Sequence, residues 1–214
     1  QQLDDSVREF LASRSPVSEQ RRIRDEKVPA GFSESVWQEM LELGWGGIAL
    51  PEQFGGLEFG FQGFAPVFEQ IGRQLAASPL QSSVVLCGSA IEELGSDEQK
   101  AALLPSLISG ELRLAMAMGP QHRFERTEIT ATAKTEGDEL VINASDLWVP
   151  DGCHADGWLV ACRLDGYEVV VVHVPAKTPS VSIVELDLLD SRNHGKLVLD
   201  NVRVPKSQLI GTGE

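Results

Sequence analysis

The stretch from Leu112 to Gly152 decides the fold, and it reads LRLAMAMGPQHRFERTEITATAKTEGDELVINASDLWVPDG. Apolar residues recur in it with a period of two and β-branched residues are frequent, a pattern that is typical of strands. The Gly137-Asp138 pair suits a turn, and Trp148 stands just before a Pro-Asp-Gly turn. The stretch therefore predicts a β-meander that carries one tryptophan near the end of a strand.

Trp148 has two interpretations. Its indole is flat and large and has a polar N–H, so the strand end presents it either to the core or to a flat ligand. Tryptophan is a largely buried residue type on average, which favours the core when the residue is considered alone. Both interpretations remain open on the residue chemistry.

The composition changes near Gly110. Before this point the chain has helix caps and apolar residues spaced by three and four; after it, Val, Ile and Thr dominate in short runs. Helices first and strands second predict an α+β fold. We expect an N-terminal all-α helical domain over residues 1–110, followed by a small antiparallel β-barrel domain over residues 111–214.

Caps and apolar spacing predict the helices. Ser33 suits an N-cap, Gly44 a helix stop, and Ser96 with Gln99 a capping box that opens the last helix, which Gly110 ends. We expect the charged, apolar-poor residues 15–31 to form a solvated helix turn or linker. The predicted helices cover residues 3–13, 33–43, 61–75, 80–94 and 96–108, and the fourth should be the central, buried one.

Short apolar runs separated by turn signals predict the strands. Their regular spacing argues for a small barrel or sandwich. We expect no further element from Ser207 to Glu214. The predicted strands cover about residues 112–118, 128–135, 139–143, 146–149, 157–163, 167–174, 180–185 and 196–204.

The charge and the cysteines limit the partners and the compartment. A net charge of −14, from 18 basic and 32 acidic residues, repels a phosphate backbone, so we expect no nucleic-acid partner, although a few local amides or arginines suit a small anion. Cys87, Cys153 and Cys162 lack CxxC spacing, so we expect neither a disulfide framework nor a zinc ribbon, and a reducing, cytoplasmic setting. No run approaches the ~20 apolar residues of a membrane span.

The sequence contains few candidate catalytic or metal-binding motifs. Nucleophilic catalysis needs a Ser or Cys, a His and an orienting acid at one place, and no Gly-x-Ser-x-Gly elbow is present. Cys153-His154 with Asp151 and Asp156 is the nearest approach to a cluster, but adjacent residues of an extended strand point to opposite faces, and turns collect these residue types. The QHRFER run, residues 121–126, suits either a phosphate contact or a solvated loop. No metal-ligand spacing occurs.

Several runs in a fixed order carry a family resemblance along nearly the whole chain. These runs are GIALPEQFGG, FEQIGRQLAASPLQSSVVL, GSDEQKAALLPSLISGELRLAMA, DLWVPDG and LDNVRVPKSQLIG. In this order they resemble the acyl-CoA dehydrogenase family. The resemblance covers the N-terminal helical domain of that family, up to about Gly110, and its middle β domain.

The resemblance implies a flavoprotein oxidoreductase of fatty acid or steroid catabolism. In that family FAD lies against the β domain, an acyl-CoA thioester is the substrate, and subunits associate as homo- or hetero-oligomers. The β-hydride passes to the flavin while a catalytic Glu of a C-terminal four-helix domain takes the α-proton. The 214 residues hold no counterpart of that domain, so the resemblance assigns them no catalytic residue and no metal ligand.

The cofactor-binding residues implied by the resemblance are Ala117 and Met118, through main-chain groups, and Trp148, through its ring. Two departures from the family pattern accompany them. Relatives typically have Thr-Glu-Pro-x-Ala-Gly-Ser-Asp after the first strand, where residues 118–125 here read MGPQHRFE and keep only the Pro. The Thr or Ser that hydrogen-bonds the flavin N5 edge is replaced by Pro150, which has neither a hydroxyl nor an N–H.

Two hypotheses of different classes follow from the resemblance. In the first, the chain is the front part of an FAD-dependent acyl-CoA dehydrogenase. In the second, it is a non-catalytic or FAD-poor scaffold subunit that pairs with an active acyl-CoA dehydrogenase subunit. A flavin monooxygenase of the same fold is a related third option.

Overall fold

The computed structural model describes residues 2–119, 129–166, 168–190 and 192–211. Helices occupy its first part and one β-sheet its second part, so the α+β class predicted from the sequence is confirmed. The helices are α1 Gln2–Arg14, α2 Val17–Asp25, α3 Glu34–Glu42, α4 Phe64–Gln74, a π-helix Leu80–Gly88 that continues into α5 Ser89–Leu94, and α6 Asp97–Ser109; short 3-10 turns lie at Trp45–Gly47, Glu52–Phe54, Phe61–Gly63 and Lys206–Gln208.

Local sequence signals place the helix ends well. The Ser96 hydroxyl accepts from the Gln99 N–H at 3.3 Å and the Gln99 side chain accepts from the Ser96 N–H at 3.0 Å, so the capping box is confirmed. Gly44 and Gly110 end their helices in the left-handed conformation that a side chain disfavours. Ser33 precedes α3, but its hydroxyl contacts Ser35 instead of capping the helix.

The segment predicted as a solvated helix turn or linker contains a helix of nine residues, α2, which is longer than a single turn. Ile23 is the buried anchor of this helix, and one buried apolar side chain in nine residues is a weak periodic signal. The predicted buried helix over residues 80–94 is present, but its first part is a π-helix. The Ser83 hydroxyl accepts from the Leu114 N–H at 3.1 Å and ties this π-helix to the sheet.

The described strands are β1 Leu114–Ala117, β2 Thr132–Glu136, β3 Glu139–Pro150, β4 Gly157–Leu164, β5 Glu168–Pro175, β6 Val181–Leu186, β7 His194–Pro205 and β8 Leu209–Ile210. They form one sheet in the order β6-β7-β3-β2-β4-β5-β8, and β1 pairs in parallel with β4. Most of the described pairs are antiparallel, and β2 also pairs in parallel with β4. The described strands form an open path with β6 and β8 at its ends, so the sheet is not the closed barrel that was expected.

Two strand predictions differ from the structure. The runs 139–143 and 146–149 belong to the single strand β3, which is interrupted by register shifts between Ile142 and Leu147 rather than by a turn. Asp146 takes a positive φ of 53° there, which lets the strand kink and continue. The residues after Ser207 were expected to lack structure, but Leu209–Ile210 pairs with β5 as β8.

Strand β1 joins the helical part to the sheet. Its side chains alternate, so Leu114 and Met116 pack in the core of the helical part while Ala115 and Ala117 pack in the core of the sheet. Leu159 of β4 also contributes to the helical core. The end of β1 and the far end of β3 therefore lie where the two parts meet, and the candidate site lies there too.

Candidate functional site

Trp148 lies near the end of β3 and is half-buried. Its backbone N–H donates to the carbonyl oxygen of Gly119 at 2.9 Å, which fixes this part of β3 beside the chain that leaves β1. The His194 imidazole lies beside the indole, with ring centroids 5.6 Å apart and an interplanar angle of 59°. Trp148 therefore has an aromatic ring as a neighbour and is only partly shielded from solvent.

Ala117 and Met118, the other two residues implied for cofactor binding, differ in their surroundings. The Ala117 side chain is fully buried in the sheet core, so a contact between this residue and a ligand would have to use main-chain atoms. Met118 is half-buried against the helical core. The QHRFER run, residues 121–126, lies outside the described residues.

The turn after Trp148 is held from several sides. Asp151 has a positive φ of 55°, and its N–H donates to the carbonyl oxygen of Asn193 at 2.5 Å. The buried Trp158 donates its indole N–H to the Gly152 carbonyl oxygen at 3.0 Å. These contacts fix the backbone of the turn and direct the Asp151 side chain toward the helical part.

Asp151 and Ser82 form a hydrogen-bonded pair across the two parts of the molecule. The Ser82 hydroxyl oxygen is 2.6 Å from Asp151 Oδ2 and 3.2 Å from the carbonyl oxygen of Pro79. Burial raises the pKa of Asp151, and the hydrogen bond from Ser82 together with the charges of Arg192 and His194 acts in the opposite direction. The single hydroxyl hydrogen serves the carboxylate when Asp151 is ionised and the Pro79 carbonyl when Asp151 is protonated.

A cleft of about 330 Å³ opens beside this pair, between α4, the π-helix and the sheet. Its apolar lining includes Phe68, Ile71 and Leu86. Its polar lining includes Ser82 and Asp151, and Pro150 lies next to Asp151. The volume is at the lower end of the range for small-molecule sites, and a mostly apolar lining with a few placed polar groups is their usual character.

The candidate Cys-His-Asp cluster is not assembled. Asp151 turns to Ser82, the Cys153 thiol donates to the His194 carbonyl oxygen at 3.4 Å, and Asp156 accepts from the Arg113 N–H at 2.9 Å. Burial, with a contribution from Glu185, raises the pKa of Cys153 to about 11, which leaves the thiol protonated and unreactive at neutral pH. The described residues include no group of three or more His, Cys, Asp and Glu side chains arranged to hold a metal ion.

The pairing of Ser82 with Asp151 is not apparent from the sequence. The Pro-Asp-Gly pattern predicts a turn, and Asp is a residue type that tolerates the positive φ found there, so Asp151 was correctly placed in a turn. Its partner is 69 residues upstream in a helix. No local pattern connects the two, because their contact depends on how the helical part packs on the sheet.

Comparisons with known proteins define the class to which this α+β chain belongs. Residues 1–111 match the family described as "Acyl-CoA dehydrogenase, N-terminal domain". The chain is 30% identical over 227 residues to mitochondrial isovaleryl-CoA dehydrogenase of Bos taurus, covering 98% of this chain and 52% of that protein. It is 28% identical over 190 residues to acyl-CoA dehydrogenase FadE12 of Mycobacterium tuberculosis, covering 84% and 48%.

The fold has a close counterpart among solved structures. The ChsE4-ChsE5 complex from Mycobacterium tuberculosis contains a chain similar to this one, with a TM-score of 0.88, 26% identity and coverage of 99% of this chain and 56% of that chain. The chain belongs to the acyl-CoA dehydrogenase family, which confirms the resemblance drawn from the sequence. It spans about half the length of the curated relatives it matches.

In the part of the chain that the structure describes, no helix combines the length and the apolar character that a membrane crossing needs.

Proposed function

We propose that this chain is the flavin-binding front part of an acyl-CoA dehydrogenase, which oxidises the α,β-bond of an acyl-CoA thioester. Residues 1–110 act as its N-terminal helical domain and residues 111–214 as its middle β domain. The observation that carries the proposal is the half-buried Trp148 indole, which contacts His194 at a cleft with apolar and polar lining between helices and sheet, in a member of this family.

The described residues fit the isoalloxazine ring of FAD beside Trp148. Trp148 is partly exposed, and its backbone hydrogen bond to Gly119 keeps it beside the end of β1, where the main chain of Ala117 and Met118 would hold the cofactor. When bound, FAD supplies a hydride acceptor for the β-carbon of the acyl group. The apolar lining at Phe68 and Ile71 would orient the acyl chain and exclude water from it.

The base that takes the α-proton is proposed to come from a C-terminal helical domain or from a partner subunit. The relatives that this chain matches are about twice as long, so the family's remaining structure has room for such a group. The free thiols of Cys87, Cys153 and Cys162 accord with a reducing compartment, for which we propose the cytoplasm.

Substitution of Trp148 tests the flavin site. Trp148→Ala removes the stacking surface and should weaken flavin binding by about 1–2 kcal/mol, or roughly 5- to 30-fold in Kd. The dissociation constant for FAD is measured by fluorescence titration of the purified chain. Phe61→Ala is the matched control, because Phe61 is an exposed aromatic of the helical part, 61% accessible, and should leave the Kd unchanged. Equal flavin affinity in wild type and Trp148→Ala would contradict the proposed stacking.

A scaffold subunit of a heteromeric acyl-CoA dehydrogenase is the second candidate. It is favoured by Pro150, which lies at the edge of the cleft and has neither a hydroxyl nor an N–H to offer a flavin ring. The solved ChsE4-ChsE5 structure is itself a complex of two different chains. Uptake of FAD by the isolated chain supports the first candidate, whereas a colourless chain that does not take up added FAD supports the second.

A further inference from the structure

Asp151 places a carboxyl group in the cleft that the apolar lining does not explain. Phe68, Ile71 and Leu86 would be sufficient for a plain hydrocarbon chain, but Asp151 lines the same space. A partly buried carboxyl group costs free energy unless hydrogen bonds compensate it. The position of Asp151 therefore suits a ligand group that hydrogen-bonds to it.

One oxygen of this carboxyl group remains available. The Ser82 hydroxyl uses Oδ2, and no donor in the part of the chain that the structure describes bonds to Oδ1. The backbone bond from the Asp151 N–H to Asn193 holds the turn in place, so the carboxyl group is presented to the cleft without needing to move. Such preorganisation lowers the entropic cost of binding a ligand at Oδ1.

Two basic residues at the same cleft restrict the charge of that ligand. Arg192 donates toward the Ala76 carbonyl oxygen at 3.5 Å, and the His194 ring lies 3.4 Å from the Arg192 carbonyl oxygen, so both are directed to main-chain atoms. Together with the acids Asp151 and Asp190 they give the cleft both signs of charge. A ligand ammonium would meet Arg192, and a ligand carboxylate would meet the two acids, so a neutral polar group suits the cleft best.

We propose that the cleft binds an apolar acyl group that carries an alcohol, whose hydroxyl donates to Asp151 Oδ1 while its carbon frame covers Phe68, Ile71 and Leu86. An alcohol suits both protonation states of Asp151, since it donates to the carboxylate and accepts from the acid. A ketone lacks the donor that the carboxylate requires. The alcohol is part of an acyl-CoA only if the proposed function holds, but its recognition in the cleft needs neither flavin nor CoA.

Two probes with the same carbon frame test the inference. Decahydro-2-naphthol carries the hydroxyl and 2-decalone carries a carbonyl oxygen in its place, and each is titrated into the purified chain, without flavin or CoA, while amide resonances are followed by NMR. At neutral pH the alcohol should bind about fivefold more tightly than the ketone, the effect of one hydrogen bond to a charged group that is partly open to water. Shifts should centre on Ser82, Asp151 and Gly152.

Substitutions test whether the preference for the alcohol depends on Asp151. Asp151→Asn keeps the shape but offers the ketone a donor, so the ratio of the two affinities should fall toward one. Asp187→Asn removes an exposed acid of the neighbouring segment that does not line the cleft, and should keep the fivefold preference. Ser82→Ala leaves the Asp151 carboxylate in the cleft and should also keep the alcohol preferred, which provides a second variant if Asp151→Asn does not fold.

Several results would overturn the inference. Equal affinities in the wild type, an unchanged preference in Asp151→Asn, or shifts confined to residues away from the cleft each contradict it. If the chain binds FAD at Trp148 but does not discriminate between the two probes, only this inference is contradicted. If the chain prefers the alcohol but binds no flavin, only the proposed dehydrogenase function is contradicted.

Discussion

The helical part and the sheet have separate apolar cores that depend on each other unequally. The helical core contains Leu114, Met116, Leu159 and Ile210, all of which belong to strands. Among the described residues, the buried members of the sheet core all come from the sheet or from the segments that connect its strands. The helices therefore need the sheet to complete their core, whereas the sheet fills its own core.

This asymmetry follows from the side chains of β1. A strand presents successive residues to opposite faces, and here the large Leu114 and Met116 face the helices while the small Ala115 and Ala117 face the sheet core. Small residues let the sheet pack closely behind β1, and large ones fill the space under the helices. The cleft and Trp148 lie along the same boundary, so a site at this position is sensitive to the packing of both parts.

The largest effect is expected where the helical core depends on the sheet. Leu159 is fully buried and belongs to the helical core although it lies on β4. Leu159→Ala should lower the free energy of unfolding by about 3 kcal/mol through lost burial and a residual cavity. Denaturant unfolding is followed by far-UV circular dichroism for the helices and by the amide resonances of the strands for the sheet. Leu189→Ala is the control: its side chain is fully exposed, so the change should stay within about 0.5 kcal/mol.

Truncation of a side chain in the sheet core tests the same unequal dependence of the two cores. Leu197 is equally buried but packs only in the sheet core. Leu197→Ala should lower the stability of both parts together, because the helices cannot keep their core without the sheet, whereas Leu159→Ala should make the helical signal unfold first. A separate early loss of the sheet signal in Leu197→Ala, with the helices retained, would contradict the inferred dependence.

The sequence predicted the features that are encoded locally. The capping box at Ser96, the left-handed stop at Gly110 and the order of helices before strands each depend on a few neighbouring residues. The strand order, the bulged continuity of β3 and the approach of Ser82 to Asp151 depend on residues far apart in the chain. Such contacts reflect the packing of whole elements, and periodicity within one window carries no information about them.

A smaller effect is expected where α6 meets the end of the sheet. The Gln99 side chain completes the capping box and also donates to the carbonyl oxygens of Ser207 at 3.0 Å and Leu209 at 2.6 Å. Ser96→Ala removes the bond that the Gln99 N–H donates to the Ser96 hydroxyl and should cost about 1 kcal/mol. Gln99→Ala removes the other bond of the capping box together with the link to Ser207 and β8, and should cost about 2 kcal/mol. Equal losses in the two variants, measured by denaturant unfolding, would show that the link to β8 contributes nothing.

The smallest expected effect is the pH dependence of stability that comes from Asp151, which lies between the sheet and the helices. Burial raises the pKa of Asp151 in the folded chain, so between the unfolded value, about 3.9, and the folded value the folded state holds more protons. Its contribution to stability is therefore present below the unfolded pKa and is lost as the pH rises through the folded pKa. Asp151→Asn lacks this titration, so its stability relative to the wild type should increase as the pH rises from about 4 toward neutral. Urea midpoints of both proteins across this range measure the difference, with Asp187→Asn as the exposed control. A difference that shrinks with rising pH would mean that the donors around Asp151, Ser82 foremost, outweigh its burial.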